Sequence, residues 1–61
     1  MNKKILMYLR AHLKNLITEF ASAVEQEAKD NNKQAGNEAR GLIIQIQDLR
    51  NLIKKLEDEE S

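Results

Sequence analysis

Residues 6–23 read LMYLRAHLKNLITEFASA, and residues 35–56 read AGNEARGLIIQIQDLRNLIKKL. In both segments apolar residues recur alternately three and four positions apart, the spacing typical of coiled-coil helices. The chain has no proline, and residues that favour helix dominate it. The sequence therefore predicts an all-α fold whose apolar residues form two stripes. The first stripe is Leu6, Leu9, Leu13, Leu16, Phe20 and Ala23, and the second is Ala35, Ala39, Leu42, Ile46, Leu49, Ile53 and Leu56.

The two stripes match each other when the chain folds back at Asn31–Asn32. Each residue of the first stripe then meets an apolar residue of the second, and the two residue numbers of each pair add to 62. We therefore predict an antiparallel helical hairpin, a two-helix coiled coil in one domain, residues 1–61. Its parts are a helix over 3–30, a turn at 31–32, a helix over 33–58 and an acidic tail at 59–61. Asn2 is the predicted N-cap of the first helix.

Two alternatives compete with this hairpin. Gly36–Asn37 is the stronger local turn signal, because glycine commonly ends helices and asparagine commonly begins them. A turn there would pack Glu27 against Ile46, so the register favours Asn31–Asn32 and leaves Gly36 and Gly41 inside the second helix. Each glycine inside a helix lowers the stability of that helix by about 1 kcal/mol relative to alanine. The second alternative is one continuous helix, in which a four-residue stutter near residues 24–35 keeps the stripe continuous.

Size and composition exclude several classes of protein. A chain of 61 residues buries only about 60% of its unfolded surface and usually needs a disulfide, a metal or a second subunit. There is no cysteine and only one histidine, so we expect neither a disulfide nor a metal site or other cofactor. Oligomerisation is therefore the remaining way for this chain to gain the stability that a small core lacks. The absence of cysteine is compatible with a cytoplasmic protein, and the apolar run 5–9 is too short for a signal peptide or a membrane span.

Three large apolar residues lie outside the two stripes, at heptad position e beside the seam: Ile17, Val24 and Ile43. A stripe this wide suits a bundle of more than two helices. We predict that these residues form the interface of a homodimer, a four-helix bundle. The alternative is a broad apolar shoulder on a loosely packed monomer.

No pattern in the chain points to catalysis. His12 has no partner suited to metal binding or acid–base chemistry, and neither Thr18 nor Ser22 lies in a nucleophile motif. The glycines are too sparse for a phosphate-binding loop. We therefore expect a protein that is not an enzyme.

The remaining residues suggest binding. Met7 and Tyr8 lie on predicted outer faces, and with Leu52 they are the predicted contacts for a protein partner. Possible anion contacts concentrate in the half of the hairpin away from the turn: Lys3, Arg10, Lys14, Arg50 and Lys54. Arg10 and Arg50 face each other across position e, so an anion between them is expected. Glu57 is the internal candidate, and the external candidates are an acidic residue of the second protomer and a nucleic-acid phosphate.

Three functions fit these features. The leading one is a small cytoplasmic protein-interaction module, such as a regulator, an inhibitor or an assembly factor. A nucleic-acid-binding dimer is the second, although ten basic and ten acidic residues leave no net charge and nucleic-acid binding usually shows a basic excess. A purely structural oligomerisation element is the third.

Overall fold

The computed structural model describes the backbone of residues 3–60 and the side chains of residues 3–59, which form two helices and a short turn. Helix α1 spans Lys3–Asp30 and helix α2 spans Lys33–Glu60. The two pack against each other as a hairpin 45 Å long and 15 by 12 Å across. A helix of 28 residues is about 42 Å long, so the chain is folded once. The predicted hairpin is confirmed, and the continuous helix was the wrong alternative.

The bounds of α1 agree with the prediction, whereas those of α2 require a correction. We predicted that α2 ends at residue 58, but it continues to Glu60. No proline or glycine follows Gly41, so nothing in the backbone stops the helix when the acidic residues begin. Asn2, the predicted N-cap, and Ser61 lie outside the described residues.

The turn depends on two asparagines with different roles. Asn31 adopts a positive φ of 55°, a left-handed conformation that asparagine tolerates better than most residues and that commonly ends a helix. Asn32 caps α2, because its side-chain Oδ1 accepts hydrogen bonds from the backbone N–H groups of Gln34 at 3.0 Å and Ala35 at 3.2 Å. Its carbonyl oxygen accepts the N–H of Gly36 at 3.2 Å. These hydrogen bonds fix the start of α2 after Asn32, and the turn contains no glycine.

The seam between the helices follows the predicted stripes. Among residues 3–59, every stripe residue is buried or half-buried, and Gly36 is the one other residue that is not exposed. The larger side chains cluster around Leu6, Leu16, Leu49 and Ile53. Nearer the turn the buried residues are small, with Ala23, Ala35 and Ala39 in the seam. In a two-helix hairpin, each helix can bury only the stripe that faces its partner. Accordingly, no described side chain is less than 2% exposed.

The chain exposes more surface than a compact protein of its size. Its accessible surface is 5,075 Å², whereas a compact monomer of 7.0 kDa exposes about 4,000 Å². Its radius of gyration of 14.1 Å likewise exceeds the roughly 10–11 Å of a compact chain of this length. The surplus surface lies along the sides of a thin rod. Neither described helix is apolar enough over a sufficient length to cross a membrane.

Candidate interaction edge

One edge of the hairpin carries apolar side chains that the seam leaves in solvent. We call it the isoleucine edge. It is formed by the residues at heptad position e of both helices that lie between the turn and the outermost pair at that position, Lys3 and Glu57: Arg10, Ile17, Val24, Gly36, Ile43 and Arg50. Its three apolar side chains remain 47%, 40% and 39% exposed at Ile17, Val24 and Ile43, respectively. Position e lies beside the seam, so only a further helix can bury these side chains completely. Burying an isoleucine or valine completely yields about 1.5–3 kcal/mol relative to full exposure, and roughly half of that or less remains to be gained by each of these side chains.

Ion pairing shapes the end of the isoleucine edge away from the turn. The guanidinium of Arg10 donates a hydrogen bond to the Glu57 carboxylate, joining the start of α1 to the end of α2. This is the internal pairing that the sequence suggested. Both side chains are about half exposed, so the pair contributes at most about 1 kcal/mol to stability. It therefore favours the antiparallel arrangement but does not hold the hairpin together.

The predicted anion contacts fall into two shallow depressions that share Glu57. Arg50 and Lys54 line one of them with Leu13 and Glu57. Lys3 and Arg10 line the other with Met7 and Glu57. Lys14 is exposed and lines neither depression. The structure thus brings four of the five predicted basic residues to one edge, with an internal carboxylate between them.

The turn end of the same edge carries an acidic group that sequence reasoning missed. The Glu27 side chain lies against Gly36, so close that a Cβ atom added to this glycine would overlap the carboxylate. Gly36 is buried under it. Among residues 3–59, no cation pairs with Glu27. The sequence contained one signal for this contact, a glycine at an edge position near a long acidic side chain. A heptad pattern does not show in which direction such a side chain points.

The three predicted partner contacts do not form one patch. Tyr8 is 72% exposed and Met7 is nearly as open. Met7 lies on the isoleucine edge beside Arg10 and Glu57. Leu52 lines a depression on the opposite edge, together with His12 and Asp48. A single partner surface containing both Met7 and Leu52 would have to wrap around the hairpin.

Over residues 3–59, no three His, Asp or Glu side chains come close enough together to hold a metal ion. His12 lies in an open depression lined mainly by leucines and polar side chains of α2. The arrangement can bury apolar surface and pair charges, which is the chemistry of association.

A comparison of the chain with protein-family models, with curated proteins and with solved structures finds no match. Any functional conclusion therefore depends on the surface of the hairpin itself.

Proposed function

We propose that this chain is a small, non-enzymatic protein-interaction module that acts as a homodimeric four-helix bundle. The observation that carries the proposal is the isoleucine edge, where Ile17 and Ile43 lie at one level and Val24 one heptad nearer the turn, all at 39–47% exposure. Isolated exposed apolar residues are ordinary on protein surfaces. Three exposed apolar side chains that widen the apolar seam on one side are typical of a helix surface that packs against another helix.

The shortage of core in the hairpin supports dimerisation. Among residues 3–59, seven apolar residues are buried, and three of these are alanines. Small domains without disulfides or metals commonly gain stability from a second subunit. The surface of 5,075 Å² exceeds that of a compact monomer by roughly 1,000 Å² per chain, which is comparable to the roughly 800 Å² that each partner buries in a specific dimer.

Tyr8 and Met7 are the proposed contacts for a protein partner. Tyr8, at heptad position c, remains in solvent when the isoleucine edge is covered, whereas Met7, at position b, borders that edge beside Arg10. Aromatic and methionine side chains are enriched at protein interfaces. The partner would be a protein with a complementary apolar pocket, and we place the module in the cytoplasm because a chain without cysteine needs no oxidising compartment.

Two measurements test this function. Light scattering across a range of concentrations should give twice the 7.0 kDa chain mass, and a concentration-independent monomer mass would rule out the dimer. Tagged protein should also retain a co-purifying protein that is lost with Tyr8→Glu, while far-UV circular dichroism stays unchanged. Co-purification that is indifferent to Tyr8→Glu would exclude the proposed partner contacts.

Nucleic-acid binding is the second candidate, favoured by the depression that Arg50 and Lys54 line beside Lys3 and Arg10. Affinity for an oligonucleotide should then fall steeply as salt is raised, because phosphate contacts release counterions. Binding to a protein through Tyr8 should respond weakly to salt. If the chain is only an oligomerisation element, neither ligand will be retained.

A further inference from the structure

The charges along the isoleucine edge follow a fixed order from the open end of the hairpin to the turn. Residues that face each other across this edge have numbers that add to 60. The outermost such pair is Lys3 with Glu57, and three levels follow it toward the turn, one heptad apart. The first level is basic, the second apolar, and the third carries the Glu27 carboxylate over a glycine. In the same order, the levels are Arg10 with Arg50, Ile17 with Ile43, and Val24 with Gly36.

Two charged groups of this edge, Arg50 and Glu27, have no partner among the side chains that the structure describes. Arg10 is paired with Glu57. Among residues 3–59, neither Arg50 nor Glu27 makes a hydrogen bond or ion pair. They lie on either side of the apolar level, at opposite ends of the same edge. Each is a charge of the correct sign for the other, but about two heptads, or roughly 21 Å, separate their levels in one hairpin.

We propose that a second copy of the chain docks on the isoleucine edge in antiparallel orientation, about a two-fold axis at the level of Ile17 and Ile43. This inference rests on the proposed dimer and adds its geometry. The axis runs across the edge, so α1 faces α1 and α2 faces α2 of the second copy. Arg50 of each copy then meets the Gly36 level of the other, where the Glu27 carboxylate lies. A two-fold interface forms this ion pair twice.

The order of the charges distinguishes this orientation from its parallel alternative. If the two hairpins pointed the same way, the basic level would face the basic level, so that Arg10 would meet Arg50 of the second copy. Glu27 would then have no cation opposite. Like charges placed together disfavour an interface, and complementary charges fix its orientation. Ile17 and Ile43 lie at the centre in both cases, so these two isoleucines alone do not decide. Val24 meets Arg10 of the second copy in the antiparallel dimer and the Gly36 level in the parallel one.

Single cysteines test the axis directly, because the chain contains none. Cysteines form a disulfide only when their Cα atoms lie within about 4.4–6.8 Å. Ile43→Cys, at the axis, should cross-link to itself under mild oxidation, and Ile17→Cys should do the same. Val24→Cys is the matched control, because its two copies would be about 21 Å apart. In the parallel dimer, Ile43→Cys would instead cross-link to Ile17→Cys in a mixture and not to itself.

Charge reversal tests the ion pair. Arg50→Glu should raise the dimer dissociation constant by about tenfold, and Glu27→Arg should act similarly, because two pairs are lost per dimer. Combining both substitutions should restore the wild-type constant. Lys55→Glu, with the same change in net charge on the other side of α2, should leave the dissociation constant within about twofold. Circular dichroism checks that each variant remains helical.

The outcomes separate the orientation from the dimer itself. A wild-type chain that stays at 7.0 kDa at every concentration would overturn the proposed function and this inference together. A dimer in which Val24→Cys cross-links as readily as Ile43→Cys, or in which the reversed pair fails to restore affinity, would overturn the antiparallel geometry alone.

Discussion

Gly41→Ala should stabilise the protein. Gly41 lies inside α2 with no positive φ, and a Cβ atom added there meets nothing within 4 Å. Alanine thus introduces no clash, and it is about 0.8–1.0 kcal/mol more favourable than glycine within a helix. For a domain of this size, 1 kcal/mol shifts the melting temperature by roughly 4–8 °C. We therefore expect a rise of about 3–8 °C in thermal melts followed by far-UV circular dichroism.

Gly36→Ala is the matched comparison, because its added Cβ would overlap the Glu27 carboxylate. The carboxylate lies at the end of a flexible, exposed side chain, so it can swing away, and the gain should be smaller than at Gly41. In a Glu27→Ala background the gain at Gly36 should approach that at Gly41. All melts require one protein concentration, since the melting temperature of an oligomer depends on it. A melting temperature that falls with Gly41→Ala would refute the placement of this residue inside an unobstructed helix.

Three further substitutions test the seam, the turn and the ion pair. Leu16→Ala should lower the free energy of unfolding in urea by about 2–5 kcal/mol, as is usual for a core leucine, because Leu16 is only 6% exposed. A loss below about 1 kcal/mol would contradict the position of Leu16 in the seam. Asn32→Ala should cost about 1 kcal/mol by removing the cap of α2, and an unchanged unfolding midpoint would place the start of α2 elsewhere. Glu57→Gln should cost less than about 1 kcal/mol, and high salt should abolish the difference, because the pair with Arg10 is half exposed; a larger, salt-independent loss would contradict a surface pair.

The register of the hairpin was predictable because it depends on many residues at once. A turn at Gly36–Asn37 satisfies local rules better, but it would place charged and polar side chains against the second stripe. The turn at Asn31–Asn32 keeps all apolar pairs together, and the positive φ of Asn31 shows how the chain turns without glycine. The end of α2 was less predictable, because it depends on how far a run of acidic residues remains helical.

The details of the edge depended on single side chains. The pairing of Arg10 with Glu57 was one of several that the sequence allowed, since a long side chain reaches several neighbours. The position of Glu27 over Gly36 depends on one rotamer, which no periodicity encodes. The separation of Met7 from Leu52 follows from their heptad positions, b and g, which flank opposite sides of the seam.

Sedimentation equilibrium of Ile43→Lys and Ile44→Lys tests most directly whether the isoleucine edge is a dimer interface. The two isoleucines are neighbours in α2, but Ile43 lies on the isoleucine edge whereas Ile44, 60% exposed, lies on the outer face. A lysine at Ile43 would place a charge in the apolar centre of the interface, and one at Ile44 would remain in solvent. The account predicts that the wild-type chain and Ile44→Lys sediment at twice 7.0 kDa, and that Ile43→Lys sediments as a helical monomer. Equal masses for the two variants would contradict it.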